Sequence, residues 1–374
     1  MSGAVIGSVR PSTVQSVASS ATSSTTSSTV SITARRIALH DGVTLELLEG
    51  AWDGATASPP GRDVSRDARA PRSAAPGGDR EALPLLLLHG FTGAASTWSE
   101  LLPVLGARRR VVALSLHGHG GSDVPADPAR YAAPRAARDV LEVLDLLGIT
   151  RVVLLGYSMG ARVALHTALA APGRVGALIL ESGSAGIADA AERAGRRAAD
   201  EALALDIERH GVEAFVDRWE RLPLWESQRR LSQPARDGLR AQRLAGSARG
   251  LANSLRGLGA GATAPLHGRL GELAAVPTLL LCGVLDEKYV RLARELKAML
   301  PSAELREVEH AGHAVHLERP RELAAVVEEF LEGTSSHPRE RDDPHPRGGG
   351  SASHSRESGN PCRPTEHGSP LARG

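Results

Sequence analysis

Five short stretches of this chain, 83–88, 111–116, 152–155, 177–180 and 278–282, are apolar almost throughout, and a weaker sixth follows at 303–308. A strand with one wet face alternates apolar and polar residues. Runs that do not alternate, and that are too short for helices, are expected where both faces of a strand are covered. Amphipathic patterns of helical period lie between most of them, at 135–147, 159–171, 289–300 and 321–331. Strand and helix in alternation build a mostly parallel sheet with helices on both faces, so the fold class is α/β.

Other stretches fill in around that order. Residues 36–50 alternate around Asp41-Gly42, a tight-turn signal in which both residues tolerate positive φ, and predict a hairpin of two edge strands. Residues 54–80, rich in Pro, Gly, Arg and Asp, read as a surface insertion after it. Between 186 and 265 the pattern is long, charged and helical with no strand, which predicts a helical lid laid over the strand ends. Residues 1–34 and 335–374 carry too few apolar groups to offset the entropy of ordering them and are expected to be disordered. The domain proper is then 35–334. The Ser/Thr-rich, acid-poor stretch at 12–36 is read as part of this extension in preference to an organellar transit peptide.

Forty-four basic and 43 acidic residues leave a formal charge of +1, so no summed field draws the protein to nucleic acid or an anionic membrane. Lys288 and Lys297 are the only lysines, so a single arginine carries little information by itself. Two cysteines, Cys282 and Cys362, are too few for a disulfide framework and point to a reducing compartment, the cytoplasm. No apolar run approaches the ~20 residues of a membrane helix.

The chemistry gathers at strand ends. Gly156-Tyr157-Ser158-Met159-Gly160 follows one buried run and opens an amphipathic pattern, the context that makes G-x-S-x-G the nucleophile elbow of an α/β-hydrolase fold. Run 83–88 ends in His89-Gly90-Phe91-Thr92-Gly93, where that architecture supplies a second oxyanion-hole amide, assigned to Phe91 beside that of Met159. His89 reads as a brace for the loop. Asp286 follows run 278–282, and His313, in Ala311-Gly312-His313, follows run 303–308; the order Ser, acid, His is the one this fold requires. A serine hydroxyl is a poor nucleophile or base until a histidine takes its proton and an acid orients the imidazole, so Ser158, His313 and Asp286 form the expected triad. Glu287 is the alternative acid and His316 the alternative base. Neither a metal nor a cofactor is expected.

The segment Gly156-Tyr157-Ser158-Met159-Gly160-Ala161-Arg162 resembles the 2-succinyl-6-hydroxy-2,4-cyclohexadiene-1-carboxylate synthases, menaquinone-pathway lyases of the α/β-hydrolase superfamily. Leu88-His89-Gly90-Phe91-Thr92-Gly93, Glu181-Ser182-Gly183-Ser184, the block 251–259 around Asn253, and 313–318 are similar to that family as well. The similarity spans roughly residues 83–332. It implies a tricarboxylate substrate, removal of a proton next to a carbonyl and expulsion of pyruvate without water. It also implies Tyr157, Arg162, Arg196, Trp219 and Arg243 as substrate contacts. Guanidinium groups grip carboxylates with two parallel hydrogen bonds, which gives the three arginines a chemical reason. Ala161, where a glycine is usual, and His117, where proline is common, depart from the pattern without touching a catalytic position. The competing enzyme class is an esterase or carbon–carbon bond hydrolase using the same triad with water. A non-catalytic ligand receptor on this fold would be free to lose a triad member, and all three are present.

Overall fold

The computed structural model describes residues 31–51 and 82–336. A hairpin comes first, β1 (Ser31–Ala38) and β2 (Thr44–Ala51), followed by β3 (Leu85–Leu88), α1 (Leu101–Gly106), β4 (Val111–Leu114), α2 (Ala133–Leu146), β5 (Val152–Tyr157), α3 (Met159–Ala170) and β6 (Val175–Glu181). Three helices then interrupt the alternation: α4 (Ala190–Trp219), α5 (Gln233–Leu244) and α6 (Ala248–Leu258). The alternation resumes with β7 (Thr278–Gly283), α7 (Glu287–Met299), β8 (Glu304–Val308), α8 (Val315–Glu318) and α9 (Pro320–Ser336).

The eight strands lie in the order β1-β2-β4-β3-β5-β6-β7-β8. β2 runs antiparallel to both β1 and β4, and every other pair is parallel. Alternate residues of the apolar runs divide between two cores. Leu86 and Leu88 face one side with Val112, Leu114 and Leu154, covered by α2 and α3. Leu85 and Leu87 face the other with Val111, Ala113, Val153 and Leu155, covered by α1 and α9. Both sides of each run are therefore buried, which is why the sequence shows no alternation there. β8, exposed at its first residue and only partly buried through its next three, is the edge, and its weaker run reflects that.

Several boundaries differ from the sequence reading. β1 begins at Ser31, so 31–34 pair with β2 as the start of a strand and do not belong to an extension. The hairpin loop spans 39–43, and only Gly42 takes positive φ, at 82°. Asp41 instead accepts the Val43 amide at 3.2 Å, a local turn that needs no left-handed residue at 41. α9 runs two residues past 334, and α1, six residues long, had no periodic signal of its own. The insertion expected at 54–80 and the remainder of both extensions lie outside the described residues.

The helical insert between β6 and β7 has its own small core, in which Ala204, Ile207, Phe215 and Val216 of α4 meet Leu251, Ala252 and Leu255 of α6. α4 is broken at Gly211, whose φ of 82° and ψ of 172° redirect the chain. Phe91, in the loop after β3, packs partly against this core and so joins the insert to the sheet.

Candidate active site

The elbow is built by close approach. A Cβ on Gly156 would strike the backbone of Gly160 and Ala161, and one on Gly160 would strike that of Leu88 and His89, so α3 packs against the ends of β5 and β3 only because both positions are glycine. Between them Ser158 is held at φ 52° and ψ −105°, outside the regions an L-residue prefers, with its amide donating to the carbonyl of Glu181 at 2.9 Å.

His313 Nε2 lies 3.0 Å from Ser158 Oγ, and His313 Nδ1 lies 2.7 Å from Asp286 Oδ2. A carboxylate accepts, so Nδ1 carries the proton and Nε2 presents its lone pair to the serine hydroxyl. The other Asp286 oxygen accepts the Tyr289 amide at 3.2 Å, which caps α7 and fixes the carboxylate. Asp286 and His313 are both buried, at 8% and 2% exposure. Glu287 points to solvent. His316 turns away from the serine: its Nδ1 donates to Glu181 at 2.8 Å.

The loop after β3 passes directly over this group. A Cβ on Gly90 would overlap the Tyr157 ring and reach 3.5 Å from Ser158 Cβ, so the backbone just before Phe91 lies against the elbow. Met159 is the first residue of α3, so its amide has no intrahelical acceptor. Among the described residues nothing accepts a hydrogen bond from either amide. His89 braces the loop: its Nδ1 donates to the Gly90 carbonyl at 2.8 Å, and its Nε2 accepts the Leu116 amide at 2.9 Å. Burial holds its pKa down at about 3, so it stays neutral.

The arginines fall into different environments. Arg162, half-buried and one turn into α3, donates Nε and Nη2 to the Leu258 carbonyl at the end of α6, at 3.1 and 2.8 Å. Desolvation lowers its pKa, and no carboxylate among the described residues pairs with it. Arg243, 5% exposed, donates to Glu220 at 3.0 Å and Gln228 at 3.1 Å, lies over the Trp225 ring, and leaves Nε buried without a hydrogen-bond partner among the described residues. Arg196 is exposed and paired with Asp200 at 2.8 Å, four residues on. Trp219 packs between Phe91 at 5.5 Å, Phe215 at 5.4 Å and Trp225 at 5.6 Å, with a buried Nε1 that has no hydrogen-bond partner among the described residues. Tyr157 is buried, its ring 5.3 Å from that of His313, and burial pushes its hydroxyl pKa well up.

Two neighbours of His313 escaped the sequence reading. Trp225, from the turn between α4 and α5, meets it edge-on at 5.6 Å, and Tyr289 tilts against it at 4.4 Å. Tyr289 carried a usable signal, since it stands three residues after an aspartate that opens a helix. Trp225 carried none.

Strand order, elbow, and a serine, histidine and acid in hydrogen-bonding sequence at the sheet's edge are those of an α/β-hydrolase-fold enzyme, and the alpha/beta hydrolase fold model matches residues 84–320. Within that class the chain is 42% identical, over 250 residues, to a putative 2-succinyl-6-hydroxy-2,4-cyclohexadiene-1-carboxylate synthase of Bacillus subtilis, covering 66% of this chain and 89% of the relative. It is 32% identical to the synthase of Klebsiella pneumoniae over 66% and 93% of the two chains. The solved structure of MenH from S. aureus superposes with a TM-score of 0.65 at 33% identity, over 68% of this chain and 94% of that one. The chain belongs to the 2-succinyl-6-hydroxy-2,4-cyclohexadiene-1-carboxylate synthase family.

Proposed function

We propose that this enzyme eliminates pyruvate from 2-succinyl-5-enolpyruvyl-6-hydroxy-3-cyclohexene-1-carboxylate in menaquinone biosynthesis, yielding 2-succinyl-6-hydroxy-2,4-cyclohexadiene-1-carboxylate. The carrying observation is the hydrogen-bonded sequence Ser158–His313–Asp286 with Arg162 one turn into the helix that follows Ser158, in a chain whose relatives bear that name. Ser158, its proton drawn to His313, takes the carbon-bound proton beside the succinyl carbonyl. The electron pair forms a double bond between ring carbons 2 and 3, the existing 3,4 double bond shifts to 4,5, and the C–O bond from carbon 5 to the enolpyruvyl group breaks. The proton passes through His313 to the departing enolpyruvate, and no water is consumed. The Phe91 and Met159 amides stabilise the enolate charge that develops on the carbonyl oxygen. Asp286 holds the imidazole and balances its charge.

Arg162 and Arg243 suit the substrate carboxylates, being desolvated guanidinium groups held near the triad. Tyr157 and Trp219 shape the apolar walls, Arg196 on α4 exchanges Asp200 for a substrate carboxylate, and the insert serves as the lid. A small polycarboxylate is the only partner this requires, with no nucleic acid, membrane, metal or cofactor. A cytoplasmic location fits the two cysteines, and no described helix is long and apolar enough to cross a membrane.

The test is to supply the substrate fresh from the preceding enzymatic step, follow pyruvate release, and run the reaction in heavy-oxygen water while weighing the ring product. Elimination puts no solvent oxygen into the ring. Solvent oxygen there, or an acyl adduct on Ser158 trapped by acid quench, would replace this reading with a hydrolase.

A further inference from the structure

β6 ends between the two halves of the catalytic relay, and its last residues touch both. The Glu181 carbonyl accepts the amide of Ser158 at 2.9 Å, which ties the elbow to β6. The Glu181 carboxylate is fully buried, and one of its oxygens, Oε1, accepts both the amide of His316 at 3.0 Å and its Nδ1 at 2.8 Å. Ser182, the next residue, is 1% exposed and donates its hydroxyl to the carbonyl of His313 itself at 2.8 Å. Its backbone stands at φ 47°, a left-handed value that few non-glycine residues adopt and that costs on the order of 1 kcal/mol. Ser182 also donates its own amide to Leu281 of β7, so the strained residue is anchored on both sides.

Burying Glu181 is expensive in its own right, because among the described residues Oε2 has no hydrogen-bond partner and neither does Nε2 of the His316 ring it holds. That ring is packed between Trp98 at 4.6 Å and Tyr157 at 4.4 Å. An apolar residue at 181 would avoid the cost and would still leave the carbonyl that receives Ser158. What it would lose is the grip on the 313–316 segment.

We propose that Glu181 and Ser182 are positioning residues that set the distance between Ser158 Oγ and His313 Nε2, by holding the serine elbow and the histidine loop from one strand end. The inference rests on the reading of Ser158 and His313 as the relay. Neither residue touches substrate. Strand β6 is rigid, hydrogen-bonded on both edges and buried throughout, so it is a better reference than the loop that carries His313. Misplacing a reacting group by about 1 Å costs on the order of 100-fold in rate.

The experiment compares full-length Ser182→Ala, Ser182→Gly, Glu181→Gln and Glu181→Met with the wild type. Steady-state pyruvate release gives kcat and KM, and inactivation by a fluorophosphonate gives the reactivity of Ser158 without using the physiological substrate. Ser182→Ala keeps the strained backbone and Ser182→Gly relieves it, but both lose the bond to His313. Both are therefore expected to lower kcat and the phosphonylation rate by about 10–100-fold, as supporting partners of a reacting group do, with KM within about twofold. Glu181→Gln keeps an acceptor for the His316 amide and ring and should stay within about threefold of wild type, whereas Glu181→Met should fall with the Ser182 variants. Wild-type phosphonylation and kcat in both Ser182 variants, or a Glu181→Gln as impaired as Glu181→Met, would overturn the proposal. Should Glu181→Met not fold, the Ser182 pair decides. If the wild type releases no pyruvate, the substrate reading fails while the phosphonylation rates still test the pair.

Discussion

The sheet and the helical insert hold their functional side chains by different means. At the sheet's edge the backbone does it: Ser158, His313 and Asp286 follow β5, β8 and β7, and parallel pairing fixes those strand ends relative to one another. In the insert, side chains hold side chains, with Arg243 on Glu220 and Gln228, Arg196 on Asp200, and Arg240 on Asp217 and Glu220. Backbone placement survives most surface substitutions. Side-chain placement depends on each partner, and leaves the arginines free to exchange a protein carboxylate for one on the substrate. The rigid half therefore suits bond breaking and the exchangeable half suits recognition.

The sharpest contrast should appear in acid. His89, His117, His119 and His166, all in the sheet half, are buried and held neutral, with pKa values lowered chiefly by burial to about 3, 3, 4 and 4. An unfolded histidine titrates near 6.5. The unfolded chain thus binds protons that the folded chain refuses, so the stability from these groups is intact above pH 6.5 and falls as the pH drops through 6.5 toward 4. One unit below 6.5 each costs about 1.4 kcal/mol, on the order of 5 kcal/mol together. Helices α4, α5 and α6 of the insert carry a single histidine, the exposed His210. Urea unfolding at pH 7.5 and 5.5 should show that loss, and a midpoint that does not move would mean these histidines accept protons without unfolding the sheet half. Next in size, Ser158→Ala should lower kcat by on the order of 10³ or more, with a melting temperature no lower than wild type, because alanine at that strained position loses no hydrogen bond that supports the fold. Residual activity near one tenth would show that His313 abstracts the carbon proton unaided.

What was legible in the sequence divides along the same line. The sheet runs, the sharp turn at Ser158 and the meeting of Ser158, His313 and Asp286 could be read because backbone position is encoded locally, by apolar runs, by glycines at close approaches, and by chain order. Boundaries slipped where pairing partners decide them, as at 31–34, whose strand exists only because β2 lies beside it. In the insert, the helical character of the stretch was visible, but its division into helices and the contacts across it were not. Glu220 meets Arg243 across 23 residues and two helices, and Trp225 reaches His313 from a turn with no motif. Asp200 could have been anticipated, since an aspartate four residues after Arg196 on one helix is its natural partner.

Arg162 stands at the boundary, carried by α3 but hydrogen-bonded to the last residue of α6. Arg162→Ala should lower kcat/KM by about 3 kcal/mol, the scale for stranding a desolvated charge partner. Lysine should recover little, because it cannot span the carbonyl and a carboxylate with one planar fork. Near-normal kcat/KM for the alanine variant would remove the main support for a tricarboxylate substrate and make Arg162 a brace for α6.

The smallest effects separate the two insert arginines. Arg243 is buried, shares Glu220 with Arg240, and covers Trp225, so Arg243→Ala removes two charged hydrogen bonds and a stacking contact. It should lower unfolding stability by about 2 kcal/mol and raise KM. Arg196 differs in that its side chain is 43% exposed and its only ion partner among the described residues, Asp200, also lies within reach of the Gly261 amide at 3.5 Å. Screening leaves such a pair little stability to give, so Arg196→Ala should shift stability by less than about 0.5 kcal/mol. Any change it makes should then appear in KM alone. Chemical unfolding and steady-state kinetics on the two variants divide the cases: a KM rise at Arg196 without a stability change marks an arginine released to the substrate from a weak pair. No change in either quantity would leave recognition to Arg162 and Arg243, and would make the Arg196–Asp200 pair an ordinary feature of the surface of α4.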